Sequence, residues 1–410
     1  MARQQHPDTP EPAPGISGSG QRVLLRDKEK MIIFFGVFLL LYGGMHIYLL
    51  AKIWSADLLS RAGMIISFLF LLLMVLAPLI IRYIERSEHA SAAQLAAWIG
   101  YSWMGWVLLW SSFAFAYDLW RGVIYVAGHI SHRDLSFLVA APRSSFLVIL
   151  GLSLMATAYG FFEARNIRTE HLQIVTTKLP SGVDRLRIVQ ISDVHIGLIL
   201  REAHLKKIAG IVKEAGPDLF VSTGDLVDGQ VCGYNGFAAI LDEIRPKYGK
   251  YAVTGNHEFY AGLKDAKCFT EDSGFVLLRG QRVNIGNVIT IAGVDDPAGR
   301  QVKVPVLGNE KDLFADIPAD RFRLLLKHRP LINKDALGMF DLQLSGHVHK
   351  GQIFPFSILT WLYYPVQSGY ADLPGKGALY ISRGTGTWGP PVRFLAPPEI
   401  TVIDLVRSQK

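Results

Sequence analysis

Side chains that can bind metal ions stand in five short motifs, each directly after an apolar run. In chain order the motifs hold Asp193 and His195, Asp225, Asn256 and His257, His328, and His347 and His349. In an extended chain residues two apart point to the same side, so both members of a pair such as Asp193 and His195 can bind one ion. A single histidine of this kind is more often a structural residue. Five motifs in order, each at a predicted strand end, favour a metal site.

The motifs divide into two ligand sets that share one carboxylate. Asp225 can bridge two cations because its two oxygens neutralise charge between them. One ion is predicted to bind Asp193, His195, Asp225 and His349, and the second Asp225, Asn256, His328 and His347. Both sets mix imidazole with oxygen ligands, which suits Mn, Fe or Zn better than Mg or Ca. We therefore expect two divalent metal ions as cofactors.

Two polar residues beside these ligands have other expected roles. His257 follows Asn256 directly and is too constrained to bind the same ion, so we expect it to move a proton. Asp228 follows Asp225 by three residues, and we interpret it as a turn or capping residue rather than a ligand.

The C-terminal part, residues 172–410, is predicted to form an α/β domain. Strands are predicted at Leu186–Ser192, Asp218–Ser222, Lys250–Thr254, Phe275–Leu278, Val288–Ala292, Phe322–Lys327, Leu342–Leu344, Ala378–Ser382 and Ile400–Leu405. Helical patterns cover Arg201–Ala215, Gly236–Arg245 and a stretch that ends at Lys264. Strands that alternate with helices and are followed by more strands predict sheets packed together with helices outside.

The first 165 residues hold most of the apolar excess of a chain that is 50% hydrophobic. Residues 1–30 are predicted to form a disordered basic tail, because the proline- and glycine-rich start cannot bury enough apolar surface. Residues 31–165 are predicted to form a transmembrane domain of about four helices, since about 20 apolar residues span a hydrocarbon core. The four runs are Met31–Ile53, Gly63–Ile81, a run from about Ala93 to Tyr117, and Phe146–Phe162. The stretch 118–143 is too polar for a fifth span and predicts a surface-lying segment.

His46 is an ionisable residue well inside the first predicted span. It is interpreted either as a proton or ligand site or as a neutral histidine hydrogen-bonded between helices, and the second reading is favoured.

Basic residues near the helix ends predict the orientation of the membrane domain. With the N-terminus inside, the cytoplasmic side has Arg3, Arg22, Arg26, Lys28, Lys30, Arg82, Arg86, Arg165, Arg168 and Lys178. The opposite side has Lys52, Arg61, Arg121, Arg133 and Arg143. This bias predicts a cytoplasmic C-terminal domain. The net charge of +7 fits contact with anionic lipid, and nucleic acid is an unlikely partner because no basic run is interleaved with aromatic residues.

The ordered set DxH, GDxxD, GNHE, H and GHxH resembles the calcineurin-like metallophosphoesterase superfamily over about residues 184–405. The segments Ile291–Asp296 and Thr385–Pro391 are similar to its membrane-linked branch. The resemblance implies a β-sandwich flanked by helices and a dinuclear centre that hydrolyses phosphomonoesters, phosphodiesters or pyrophosphates. It also implies that the seven residues of the two sets are the ligands and that His257 is the catalytic acid. Gly229, where many relatives have Arg, and Lys350, where many have Gly, depart from the family pattern.

The expected function is that of a membrane-anchored phosphohydrolase for a lipid-linked or nucleotide-diphosphate-lipid substrate. Membrane lipids and a phosphorylated, lipid-linked molecule are the expected partners, because a tethered basic domain meets them at high local concentration. An alternative is a transport or signalling protein whose phosphoesterase domain serves as a binding module. Such a module is expected to lose ligands, whereas all seven are retained.

Overall fold

The computed structural model describes residues 18–87, 89–229, 235–374 and 377–408. Its N-terminal part forms four long helices, α1 Gly18–Ala56, α2 Arg61–Glu85, α3 Ala90–Ser131 and α4 Pro142–Arg165. Among the described residues, three stretches are helical, long and apolar enough to cross a membrane: Gly36–Ala56, Arg61–Glu85 and Ser136–Arg165. The third predicted span, on α3, is not one of them.

The helix α3 lies within the bundle and contacts the other three helices. It buries small residues such as Gly100 and Ala114 as well as Trp110, and Trp106 Nε1 donates to Ser153 Oγ of α4 at 3.1 Å. From Gly100 to Ala114 no residue of α3 is exposed, so this part of the helix can carry small and polar residues that a lipid-facing helix excludes.

His46 connects two helices of the bundle. Its Nε2 accepts a hydrogen bond from Trp103 Nε1 of α3 at 2.9 Å, and its Nδ1 lies 2.7 Å from the carbonyl oxygen of Tyr42. A neutral imidazole satisfies both contacts, in agreement with the second of the two interpretations above.

The helix ends differ from the predicted ends. Residues 1–17 of the predicted tail lie outside the described residues, and α1 begins at Gly18, well before Met31. Extending an existing helix fixes one residue per hydrogen bond, so a membrane helix propagates readily into flanking helix formers. Similarly, α3 continues through the first half of the stretch 118–143, because Asp118 binds Lys52 Nζ and Tyr48 Oη of α1, both at 2.6 Å.

The C-terminal part contains two six-stranded sheets within the described residues. The strands are β1 Arg168–Thr176, β2 Arg185–Ile191, β3 Leu219–Ser222, β4 Lys250–Ala252, β5 Val276–Leu277, β6 Gln281–Ile285, β7 Ile289–Gly293, β8 Phe322–Leu326, β9 Leu342–Ser345, β10 Gly369–Asp372, β11 Ala378–Ile381 and β12 Glu399–Arg407. The helices are α5 Glu202–Ala215, α6 Asn235–Asp242, α7 Asn256–Ala261, α8 Leu263–Asp272, α9 Glu310–Phe314 and α10 Phe356–Tyr363. The strand orders are β1-β12-β2-β3-β4-β5 and β10-β11-β9-β8-β7-β6. The predicted α/β sandwich is confirmed.

The two sheets pack face to face over a shared apolar core. Leu186 and Val221 of the first sheet and Leu324 and Leu344 of the second belong to this core, and all four are fully buried. A second cluster joins the outer face of the first sheet to α5, α6 and α8. Strands buried on both sides are near-continuous apolar runs, which is why the central strands are evident in the sequence.

The α/β domain is packed against the helix bundle. Leu109 of α3 and Ala156 of α4 form a buried cluster with Ile353 and Val392 of the α/β domain. The backbone N–H of Arg393 donates to the carbonyl oxygen of Gly160 on α4 at 3.0 Å. This interface fixes the loop 388–396 beside the bundle.

Candidate metal centre

All five motifs lie at one edge of the sandwich. The strands β2, β3 and β4 are parallel neighbours in the first sheet, and β8 and β9 are parallel neighbours in the second. Asp193, Asp225, Asn256, His328 and His347 each follow the carboxyl end of one of these strands by two to four residues. The carboxyl ends of parallel strands meet at a common edge, where open sheets bind their ligands.

The backbone at this edge adopts an unusual conformation. Asp193, His195, Asp225, His347 and His349 have φ angles between 49° and 72°. Non-glycine residues adopt this left-handed conformation at a cost of about 1–3 kcal/mol each, and it persists only where the surrounding structure imposes it. Five such residues at one edge mark a functional site.

The first predicted ligand set converges. His195 Nε2 lies 3.1 Å from His349 Nε2, which in turn lies 3.3 Å from Asp193 Oδ1. Asp225 Oδ2 is 3.9 Å from His195 Nε2. All four side chains are buried. Facing imidazole nitrogens beside carboxylate oxygens can offer lone pairs to a single cation, so these residues fit a metal ion.

The second predicted set converges around His328. Its Nε2 lies 3.1 Å from Asp225 Oδ2, 3.1 Å from His347 Nδ1 and 3.2 Å from Asn256 Oδ1. The opposite ring nitrogen, Nδ1, lies 2.8 Å from the carbonyl oxygen of Thr223 and donates to it. This hydrogen bond leaves the lone pair on Nε2, the nitrogen that faces the other donors.

Two glycines allow the motifs to approach one another closely. A Cβ added at Gly255 would overlap Asp225 Oδ1, and one added at Gly346 would overlap Asp193 Oδ2. With glycine there, the backbone N–H of His347 reaches both oxygens of Asp193 at 3.0 Å. The glycine that precedes Asn256 and the one that precedes His347 are therefore required by packing.

His257 lies beside the first set. Its ring centroid is 4.6 Å from that of His195, and its backbone N–H donates to Asp225 Oδ1 at 2.8 Å. Its Nδ1 is 2.9 Å from Asp228 Oδ1. Burial opposes protonation of the ring, but the carboxylates of Asp225 and Asp228 outweigh it and raise the pKa of His257 to about 9. The proton-moving role expected of His257 stays a prediction.

Asp228 has a partner that the sequence did not indicate. We interpreted it as a turn or capping residue, whereas its carboxylate is hydrogen-bonded to the His257 ring. A carboxylate on Nδ1 holds the imidazole in one orientation and leaves Nε2 to meet a substrate.

Glu258 and Asp296 also support the site without having been predicted. Glu258 accepts hydrogen bonds from the backbone N–H groups of Gly255, Asp225 and Leu226 at 2.6–3.0 Å, which joins two motifs. Burial and the Asp225 carboxylate raise the pKa of Glu258 to about 7. Asp296 binds Arg329 through two hydrogen bonds at 2.7 and 3.0 Å. Two sequence features could have indicated these residues: Glu258 is the fourth residue of the GNHE motif, and Arg329, the partner of Asp296, directly follows His328.

The glycine at position 229, where many relatives have arginine, has a physical explanation. A Cβ at this position would overlap Glu85 Oε1 at the end of α2, and the φ of Gly229 is 84°. A side chain at position 229 would therefore be strained by this φ and would require the Glu85 carboxylate to move.

Three groups of Asp and His among the described residues have ligand atoms close enough to share an ion, namely Asp193, His195 and His349; His195, Asp225 and His257; and Asp225, His328 and His347. The first and third belong to the two predicted sets. The second includes His257, which we did not predict as a ligand. Together the groups include every predicted site residue except Asn256, whose Oδ1 lies 3.2 Å from His328 Nε2, and the role of each residue stays a prediction.

Comparisons with known proteins agree with this geometry. The family model described as calcineurin-like phosphoesterase matches residues 186–351. An uncharacterised metallophosphoesterase of Aquifex aeolicus (strain VF5) is 37% identical over 257 residues, covering 62% of this chain and 97% of the relative. One of Campylobacter jejuni is 30% identical over 382 residues, covering 91% and 98%. A transmembrane protein with metallophosphoesterase domain from Danio rerio is 30% identical over 302 residues, covering 70% and 69%. The chain belongs to the calcineurin-like phosphoesterase family and is a metal-dependent phosphoester hydrolase.

Proposed function

We propose that this protein hydrolyses a phosphoester or pyrophosphate bond of a lipid-linked substrate, such as a nucleotide-diphosphate-lipid, at the cytoplasmic surface of a membrane. Its partners are membrane lipids and this phosphorylated amphiphile. Two divalent ions, Mn, Fe or Zn, bound by the seven predicted ligands, would polarise the phosphoryl oxygens as Lewis acids.

The observation that carries the proposal is the short path from the site to the helix bundle. The ring of Trp388 lies 6.1 Å from the ring of His257, centroid to centroid. Two residues further, Pro390 packs on Gly105 of α3. Gln352 fixes this connection, because its amide donates to the carbonyl oxygens of Trp388 and Pro390, both at 2.9 Å. A headgroup at the metal-ligand edge is therefore close to any acyl chains beside the bundle.

Residues of the chain itself would carry out proton transfer and exclude water. His257 donates a proton to the leaving oxygen as the bond from phosphorus to that oxygen breaks and the oxygen of a water molecule bonds to phosphorus, and the proton that this water releases to solvent balances the one that His257 later takes back. Asp228 holds the His257 ring in place for this transfer. The surrounding buried side chains exclude bulk water, which strengthens the electrostatic contacts with the phosphoryl group.

The experiment compares matched substrates with the full-length protein in phospholipid nanodiscs with added Mn. A nucleotide-diphosphate-lipid is assayed beside the same nucleotide diphosphate without acyl chains, and Asp225→Asn is the inactive control. We expect a higher kcat/KM for the acylated substrate and hydrolysis that a chelator abolishes. Equal or better hydrolysis of the acyl-free compound contradicts the lipid-linked assignment, and binding without turnover favours the binding-module alternative.

A further inference from the structure

The helix α10 (Phe356–Tyr363) is apolar at six of its eight positions and yet exposed. None of its eight residues, all of them described, is buried. The large apolar residues exposed within and beside it are Phe354, Phe356, Ile358, Leu359, Trp361, Leu362, Tyr363 and Val366. The sequence has no Asp, Glu, Lys or Arg from residue 351 to 371. A helix that is hydrophobic over most of its surface belongs in a protein core or in a membrane.

The chain enters α10 from the interface with the helix bundle. Ile353, three residues before α10, is buried in one cluster with Leu109 of α3 and Ala156 of α4. Ala156 lies within the membrane-spanning stretch that ends at Arg165. At 1.5 Å per residue it is about 14 Å from that end. The segment before α10 thus contacts the bundle inside its apolar zone rather than beyond it.

The polar groups of α10 are turned towards the protein. Gln367 Nε2 donates to the carbonyl oxygen of Ser357 at 2.5 Å and to Thr360 Oγ1 at 2.8 Å. The backbone N–H of Tyr364 donates to the carbonyl oxygen of Thr360 at 2.8 Å. Hydrocarbon accepts only segments whose polar groups are satisfied internally, and these hydrogen bonds satisfy the side chain of Thr360 and the carbonyl groups of Ser357 and Thr360.

The end of α10 contacts the metal-ligand edge. Tyr364, the residue after the helix, has its ring centroid 5.8 Å from that of His347, edge to face. Tyr363 packs in turn on Tyr364 at 4.7 Å. A single side chain, that of Tyr364, therefore lies between Tyr363 of the exposed helix and the predicted ligand His347.

We propose that α10 is inserted in the bilayer, where its apolar side chains face the acyl chains beside the helix bundle. Continuity with the bundle interface identifies lipid as the occupant of this surface, and aromatic residues such as Trp361 and Tyr363 are typical of the interfacial zone. The inserted helix holds the metal-ligand edge against the lipid headgroups. This step rests on the proposed function: the lipid-linked substrate moves along α10 from the bilayer to His347.

The test measures the depth of α10 with a fluorescent label. In full-length protein with Cys232→Ser, Cys268→Ser and Leu362→Cys, the cysteine is labelled with an environment-sensitive nitrobenzoxadiazole dye. The protein is reconstituted in nanodiscs of phosphatidylethanolamine and phosphatidylglycerol. The control is Cys232→Ser alone, which carries the dye at the exposed native Cys268 of α8. Quenching by acyl-chain nitroxide lipids is compared with quenching by aqueous iodide.

We expect the dye at position 362 to emit at shorter wavelength, to be quenched by nitroxide lipid and to be protected from iodide, with the reverse pattern at Cys268. Iodide quenching at 362 equal to the control overturns the proposal. Protection from both quenchers also overturns it, because a second copy of the chain or another protein then covers α10. The same samples are assayed for metal-dependent hydrolysis of nitrophenyl phosphoesters. Hydrolysis without lipid quenching overturns the insertion alone, and lipid quenching without hydrolysis of any substrate overturns the proposed function alone.

Discussion

Asp228 Oδ1 lies 2.9 Å from His257 Nδ1, so a side chain from the loop after β3 orients the imidazole that follows β4. Removing the carboxylate charge in Asp228→Asn leaves an acceptor of the same shape. Loss of such an orienting partner typically reduces activity by about 10–100-fold. We expect this loss in kcat with metal content unchanged, and normal activity for Asp316→Asn, whose carboxylate is exposed. Loss of bound metal in Asp228→Asn contradicts the orienting role and indicates a ligand.

His257→Ala separates proton transfer from metal binding. The predicted ligands stay intact in this variant, whereas the proton donor is lost, a contribution of about 10²–10⁴-fold. We expect about two metals per chain by elemental analysis and a rate reduced by that factor. Nitrophenyl esters should be less affected, since their leaving groups depart without a proton. If the variant loses its metals, or turns over poor leaving groups normally, His257 is not the general acid.

Asp225→Ala should lose metal and activity together. Its Oδ2 lies 3.1 Å from His328 Nε2 and 3.9 Å from His195 Nε2, between the two ligand sets. Without this carboxylate both ions lose a ligand and their charges are poorly balanced. We expect less than one metal per chain and no activity on any leaving group, and chelation followed by added Mn should remove and restore activity in the wild type. Full activity of metal-free wild-type protein would refute the metal mechanism.

The convergence of the predicted ligands at one edge could be anticipated because the information is local. Each ligand follows a central strand whose apolar run is evident, and the glycines before Asn256 and His347 mark the turns that packing requires. The edge strands β1, β6 and β10 were not predicted. Edge strands carry polar residues that protect them from pairing with other chains, so Arg168–Thr176, for example, lacks an apolar run.

The features that the sequence did not predict depend on tertiary contacts. The pairing of Asp228 with His257 joins residues 29 positions apart, and no pattern in either motif indicates it. The eight-residue apolar run of α10 is too short to predict a span and is typical of a core segment. Only the exposure of α10 distinguishes it from a core segment.

The membrane orientation stays a prediction that labelling can test. The basic residues assigned to the cytoplasmic side include Arg165, at the end of α4 that leads into the α/β domain, and Arg82, in the last turn of α2, whose Glu85 lies beside Gly229 of that domain. In intact cells, Cys268 in a Cys232→Ser background should resist an impermeant maleimide until the membrane is permeabilised. Arg133→Cys in a background without other cysteines should react at once. Immediate labelling of Cys268 would show that the α/β domain lies on the external side of the membrane, and the substrate would then have to be sought there.

The packing of α4 against the α/β domain offers a matched pair of glycine substitutions. A Cβ at Gly160 would overlap Val392 Cγ1 and lie 3.1 Å from the carbonyl oxygen of Arg393, whereas one at Gly151 meets nothing within 4 Å. Overpacking costs about 1–3 kcal/mol, more than the gain of about 1 kcal/mol from replacing glycine in a helix.

Gly160→Ala should therefore lower the melting temperature in nanodiscs and displace the loop that carries Trp388 from the bundle. Hydrolysis of the lipid-linked substrate should fall more than hydrolysis of a soluble nitrophenyl ester, because the metal ligands stay in place while their position relative to the bilayer changes. Gly151→Ala should melt at the same or a higher temperature and retain both activities. If the two variants behave alike in melting and in both assays, the contact between Gly160 and Val392 does not set the position of the catalytic edge at the membrane.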